Sequence, residues 1–584
     1  MPSIDELCSK VSATAMFAHL EEFAKRVKLS GTPEELESFH YLQAQLDEIG
    51  FSTALIRHDA YISLPGKARL EAGPERPACI THSFSRPTAP EGLTGVLVHA
   101  GTGTEADFAA KDVTGRIVLV DGIASPAVTL RASRSGALGQ VHVSGYEHKH
   151  EMCISPVWGS PTDETVQFLP KTVVVTIAQA DGSRLKERLA RGDAEVTLHA
   201  EVDTGWRKTP ILVAELAPEG AGPEDPFVMF SGHHDTWYFG VMDNGGANAT
   251  MLEVARILGP HRASWRRGLR LCFWSGHSHG RYSGSAWYAD HHWQELCRRC
   301  LVHVNVDSTG ARGNTVLSDM PSSAELRGLA SEAVAVQGGQ ELAGLRPSRA
   351  GDQSFWGIGI PSLFMTAGEQ PADAGPNVAA SIFGGAARKG AGFGWWWHTP
   401  DDTLDKMDRD LLVRDTRIYV HALWRLLTDS VLPLDYSSYA DELMRELSDL
   451  SAATARGVDL RPLIEAVSRL RKAAEAVKAL GGAEQSSENI GAVNAALTAA
   501  SRHLVPVDYT SGNRFSQDPA LTQLPFPALN PLRRLCAVPD GDEALRFISV
   551  AAARARNRVG YALDEAIRAL EASVPGASRH TPSA

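Results

Sequence analysis

Hydrophobic positions repeat with two different periods along the chain, and the changes between them divide it. Near the start, "GTPEELESFHYLQAQLDEIGF" places apolar residues at helical spacing behind Thr32, with Glu35 three residues on, and predicts a capped helix. "FSTALIRHDAYISL" then alternates, which predicts a strand. From about residue 66 to 208, short β-branched runs recur: "LTGVLVHA", "GRIVLVDG", "GQVHVSGY", "KTVVVTIA" and "AEVTLHAEV". From about 209 to 435, buried-strand runs ("PFVMFSGH", "GLRLCFWSG", "CLVHVNVDSTG", "IPSLFMTAG") alternate with helical segments such as "GANATMLEVARILG". That alternation predicts a mostly parallel mixed sheet with helices on both faces, an α/β fold. Beyond 436 the period is helical throughout. In "LRPLIEAVSRLRKAAEAVKAL" the residues Leu460, Leu463, Ile464, Val467, Leu470, Ala474 and Val477 form one stripe. The last ten residues, "PGASRHTPSA", read as a frayed tail.

Composition narrows the class without naming a chemistry. With 584 residues, 43% hydrophobic and 22% charged, the chain is an ordinary globular protein of several domains. A net charge of −12 argues against nucleic acid or an anionic membrane as partner. The start lacks a basic head followed by an apolar run, and no apolar stretch is long enough to span a bilayer. Seven scattered cysteines fit a reducing compartment, and the expected location is cytoplasmic.

Candidate chemistry lies where the strands of the third segment end. "GHHDTWYFGVMDN" supplies His233, Asp235 and Asp243; "VNVDSTG" supplies Asp307; "WWWHTPDDTLD" supplies His398. Ligands gather beyond the carboxyl ends of strands in such sheets. Neutral imidazoles mixed with carboxylates suit zinc, and also manganese or iron. Asp235, two residues from His233, is placed to accept its second ring N–H and fix the tautomer. Trp397 and its neighbouring tryptophans, with Trp237, Tyr238 and Phe239, suggest an aromatic rim.

These motifs, "SGHHDT…MDNGGANATMLEVARIL", "VNVDSTG" and "WWWHTPDDTLDKMD", resemble those of the co-catalytic zinc aminopeptidase and glutamate carboxypeptidase family, which includes the non-enzymatic transferrin receptor. The resemblance implies a split catalytic domain over 1–65 and 209–435. It implies a protease-associated-like, β-rich insert over 66–208 and a helical domain over 436–584 through which a homodimer would form. It implies one or two divalent metals, most simply zinc, with His233 and Asp307 on the first, Asp243 bridging and His398 on the second. "RAGDQSFWGIGIPS" is similar to the family's substrate-side loop, which makes Arg349 and Asp352 candidate lining residues beside Trp397.

One segment departs from the pattern. The family has two adjacent glutamates after the second strand, a general base and then a ligand of the second metal. Here the chain reads "FWSGHSHGRYSGS", with no carboxylate. Counting from Trp274 puts His277 at the base position and Ser278 at the ligand position. Counting back from Gly284 and Ser285 puts Ser278 and His279 there instead. Serine is a poor base and a poor zinc ligand, whereas imidazole serves as either. The reading that follows takes His277 as the base and His279 as a ligand of the second metal. The expected function is hydrolysis of an amide or peptide-like bond in a small substrate. The alternatives are altered chemistry at a mononuclear iron or manganese site, and a non-catalytic, transferrin-receptor-like scaffold.

Overall fold

The computed structural model describes residues 1–349, 351–374, 389–480 and 486–574, so the expected frayed tail at 575–584 lies outside the described residues. Among the described residues eleven strands are present: β1 (Ser52–Glu71), β2 (Cys79–Thr81), β3 (Leu93–His99), β4 (Ile117–Asp121), β5 (Gly139–Val143), β6 (Val173–Ile177), β7 (Glu195–Leu216), β8 (Phe227–His233), β9 (Gly268–Trp274), β10 (Cys300–Asn305) and β11 (Ser362–Leu363). Their order is β11-β10-β8-β9-β7-β3-β4-β5-β6-β2, with β1 paired antiparallel to β7. β9, β8, β10 and β11 run parallel to one another. In the insert, β3, β4, β5 and β6 are also parallel.

The predicted α/β architecture is the one observed, and its cause is visible in β8 and β9. Val228, Phe230, Leu269, Leu271 and Phe273 pack into one buried cluster, and Phe227, Met229, Cys272 and Trp274 into another. Adjacent residues of a strand point to opposite faces, so a continuous apolar run needs cover on both. One face is covered by the helices Ala247–Leu258 and Arg409–Thr428, the other by Ser283–His291 and Trp293–Arg299. Phe230 is fully buried and stacks on Tyr419 with ring centroids 5.5 Å apart. Phe230→Ala is expected to destabilise this half by about 3–5 kcal/mol, read as a lower denaturation midpoint in urea.

Two long strands tie the insert to this half. β1 and β7 form one antiparallel ribbon; β7 pairs with β9 at its end and with β3 near its start. The boundaries read at 65/66 and 208/209 therefore fall inside strands. Alternation in sequence locates a strand, but not the point where a long ribbon passes from one sheet to the next. The C-terminal helices bury the predicted stripe, with Leu463, Val467, Leu470, Ala474 and Val477 all inside. They also lock onto the sheet: the Arg502 guanidinium, in helix Ser487–Tyr509, donates to the carbonyls of Cys297 (2.7 Å) and Gly359 (2.7 Å). Among the described residues no helix is long and apolar enough to cross a membrane.

Candidate metal centre

The site assembles where β8, β9 and β10 end. His233 is the last residue of β8 and is buried. Asp243 lies ten residues on, in the turn that enters helix Ala247–Leu258. Asp307 follows β10. His398 comes from the distant "WWWHTP" loop and is in the left-handed region, at φ +57°. Tyr238 and Ser308, close to these residues in the chain, are left-handed as well, as are Arg281 and Tyr282 after β9. Non-glycine residues in that region cost free energy and cluster where function over-determines the backbone.

Hydrogen-bond chemistry fixes both imidazoles. His233 Nδ1 is 2.8 Å from the backbone oxygen of Asp235, and His398 Nδ1 is 2.7 Å from that of Glu151. A carbonyl oxygen can only accept, so each ring carries a proton on Nδ1 and turns its Nε2 inward. His233 Nε2 then faces Asp243 Oδ1 at 3.1 Å and Asp307 Oδ2 at 3.6 Å. His398 Nε2 faces Asp243 Oδ2 at 3.1 Å. Ring nitrogens directed at carboxylate oxygens need positive charge among them, a proton or a cation. Buried His233 Nε2 and Asp243 Oδ1 are without a hydrogen-bond partner. Burial alone would lower His233, yet Asp307 and Asp243 hold its imidazole well above its ordinary range. Burial likewise opposes ionisation of Asp243, and the two imidazoles outweigh it, holding the carboxyl well below its usual range. A divalent cation answers this demand, and the nitrogen and carboxylate donors suit zinc. Asp243 turns one oxygen toward each ring.

Of the candidates read from the sequence, the fold brings together His233, Asp243, Asp307, His398 and His277. A ligand atom of His277 lies within 4.8 Å of those of His233 and Asp307, and its ring stacks on His233 at 3.6 Å and 13°. His279 is placed differently. Its Nδ1 is 3.0 Å from the Ser30 hydroxyl, its ring packs on Trp237 at 4.4 Å, its buried Nε2 has no hydrogen-bond partner, and burial pushes its pKa down to about 4. The reason is the turn after β9. Gly276 is left-handed, at φ +74°, and a Cβ there would meet Ser283 Oγ at 2.0 Å. The chain passes at once into the short helix His277–Gly280. Ser278 thus lines the cavity beside Asp243 and His398, its buried hydroxyl lacking a partner, while His279 turns into the wall.

Asp235 differs from expectation in the atom it uses. Its carbonyl, not its carboxylate, orients His233; the carboxylate is 3.7 Å from that ring. The carboxylate instead accepts the backbone N–H groups of His277 (3.2 Å) and Ser278 (2.9 Å) and the Ser30 hydroxyl (2.6 Å). It caps the helix that carries them. Arg349 borders the cavity, but its guanidinium is bound to the carbonyls of Asp518 and Pro519. Asp352 lies behind His277, 2.9 Å from its Nδ1, and so reaches the site through that ring. Trp397 lines the cavity and stacks on His398 at 3.6 Å and 23°. Trp395 stacks on His148 of the insert, which makes part of the predicted aromatic rim an anchor for the insert.

Three contributors were not singled out in the sequence. Glu151 gives a backbone oxygen from the insert, for which a sequence carries no signal. Asp402 accepts the N–H groups of Met242 (2.8 Å) and Asp243 (3.0 Å) and holds the latter in place. Its position four residues after His398 is the cue that could have found it. Arg281, two residues beyond His279, lines the cavity with one guanidinium nitrogen buried and without a partner. The cavity, of about 690 Å³, is walled by Trp237, Trp397, Tyr282 and Met152, with Asp243, Asp307, His277 and His398 at its floor.

Fold and site define an α/β protein with a candidate metal centre beyond the carboxyl ends of β8, β9 and β10. Residues 212–423, which carry all of these motifs, match the model of peptidase family M28, as the resemblance read from the sequence led one to expect. The chain is 22% identical over 578 residues to the probable glutamate carboxypeptidase AMP1 of Arabidopsis thaliana, covering 83% of this chain and 78% of that protein. It is 27% identical over 342 residues to the aminopeptidase YwaD of Bacillus subtilis (strain 168), covering 56% of this chain and 66% of that one. Among solved structures, a zinc aminopeptidase from Bacillus subtilis superposes with a TM-score of 0.54 at 20% identity, over 72% of this chain and 95% of the other. At that identity the likeness speaks for the fold.

Proposed function

We infer that the chain is a metal-dependent hydrolase of the metallopeptidase type, cleaving an amide or peptide-like bond in a small substrate. One observation carries the reading: two imidazoles, one buried and one half-buried, each with Nδ1 committed to a carbonyl, direct Nε2 at the two oxygens of Asp243 beside Asp307. The peptidase M28 match over 212–423 supports the reaction class. The cavity volume suits a substrate of a few residues.

His233, Asp243 and Asp307 would hold one divalent ion, in keeping with the zinc aminopeptidase to which the fold is similar. When bound, that ion would acidify a water and polarise the scissile carbonyl. The remaining work belongs to side chains of this chain. His277 takes a proton from the attacking water as the new C–O bond forms. It returns that proton to the leaving nitrogen as the C–N bond breaks, giving a carboxylic acid and an amine, which then exchange the acid's proton to leave a carboxylate and an ammonium. Trp237 and Trp397 limit bulk water at the floor of the cavity.

The second position is poorer. Among the described residues Asp243 and His398 face it, with Ser278 beside them in place of a carboxylate, and serine is a weak zinc ligand. Elemental analysis of the dialysed protein is therefore expected to find about one zinc-class ion per chain, and Ser278→Glu to raise this toward two. Cleavage is read on aminoacyl and peptidyl amide panels with the metal content known. Protein that binds no transition metal would overturn the hydrolase and leave a binding scaffold as the better reading. Wild-type protein holding two tight ions would overturn the single-site assignment.

A further inference from the structure

The orientation of His277 is fixed from several sides. Its backbone N–H is held by Asp235, its ring lies flat on His233, and the Tyr282 ring meets it edge-on at 4.8 Å and 83°. The remaining constraint is a carboxylate: Asp352 Oδ2 is 2.9 Å from His277 Nδ1. Asp352 is itself buried and anchored, its Oδ1 accepting the Ser285 hydroxyl at 2.9 Å. Ser285 in turn bonds the Ser354 hydroxyl at 2.9 Å, and Ser354 accepts the indole N–H of Trp158 at 3.0 Å. Gln517, from the C-terminal region, donates to the Ser354 carbonyl at 3.0 Å. The carboxylate behind His277 is thus gripped by the sheet half, the insert and the helical region together.

We propose that Asp352 is a positioning residue: paired with His277, it replaces with two groups the single glutamate base of the resembled family. An ionised carboxylate only accepts, so the shared proton resides on His277 Nδ1 and Nε2 is left as the lone pair that meets the substrate water. A glutamate carries its own charge and needs no such partner. An imidazole in its place must be told which nitrogen to present, and burying an aspartate behind it does so. As the water proton arrives on Nε2, Asp352 lies against the imidazolium and stabilises it, remaining ionised itself. The hydrogen-bonded relay to Trp158 gives the inserted region a direct hold on the base, which explains why Ser285, Ser354 and Trp158 bury polar atoms so close to an apolar wall.

This inference rests on the hydrolase reading above, and the test separates the two. Asp352→Asn in the full-length, metal-loaded protein is expected to lower kcat about 100-fold while KM and bound metal stay at wild-type values. Asp352→Glu is expected to recover part of that loss, and Ser285→Ala to give a smaller drop in kcat with the same KM. A second readout does not need turnover. With ¹⁵N-labelled histidine, the His277 ring, assigned by difference against His277→Gln, is expected to carry its proton on Nδ1 in wild type and to lose that preference in Asp352→Asn. Wild-type kcat in Asp352→Asn, or loss of metal together with activity in it, overturns the positioning role. Should Asp352→Asn fail to fold, Asp352→Glu and Ser285→Ala decide: unchanged kcat in both overturns the proposal. If wild type cleaves nothing on the panels, the hydrolase reading fails, while the ring readout still reports whether the pair exists.

Discussion

Asp243→Ala is expected to abolish metal binding and turnover together, with bound metal falling from about one ion per chain to background. Asp243 is the group on which the cluster converges, each of its oxygens 3.1 Å from one imidazole Nε2. Without it, two ring nitrogens face each other across an uncharged gap, and Asp307 alone remains to offset a dication. The loss should be local. Asp243 contributes little apolar packing, and Asp402, whose carboxyl accepts the neighbouring backbone N–H groups, still holds the turn. The far-ultraviolet circular dichroism of the variant should therefore match wild type. Asp243→Asn separates charge from shape, since it keeps the volume and removes the anion. Elemental analysis and the amide panel read both variants. Metal retained in Asp243→Ala would place the ion elsewhere and undo the site.

His277→Ala carries the next largest effect, and it divides two readings of one geometry. As a general base, His277 is expected to contribute about 100-fold or more to kcat, with metal content unchanged because His233, Asp243 and Asp307 remain. A nitrogen of the same ring is close enough to His233 and Asp307 to act as a ligand. In that case His277→Ala would lose metal and activity together, and the centre would become a mononuclear site of two histidines and carboxylates, of the type that also suits iron. Elemental analysis alongside kcat distinguishes the outcomes in one preparation. Full activity with metal retained would remove His277 from the mechanism.

Much of this was legible in the linear chain because it depends on local rules. Apolar runs that need cover on both faces could only be central strands, and β8, β9 and β10 are. Polar residues directly after such runs, His233, Asp307 and the short segment from His277, are carried by the strands to one edge of the sheet, so their convergence follows from alternation alone. Asp402 was legible only in retrospect, as a carboxylate near His398 whose partner is a backbone in another loop.

Other features have no local signature. Two registers of "HSHGRYSGS" were equally consistent with the residue types. The left-handed turn at Gly276, the Asp235 cap and the packing of Ser283 decided that Ser278 faces the cavity and His279 the Ser30 hydroxyl. The tautomer of His398 depends on a backbone oxygen at Glu151, 247 residues away. The role of Asp352 depends on a ring 75 residues away. By itself, then, the sequence determined the strand order of chemistry along the chain and the residue types available to bind a cation. Only the tertiary structure decided which nitrogen, carbonyl and carboxylate meet, because those pairings are set by loop geometry and long-range packing, to which hydrophobic periodicity is blind.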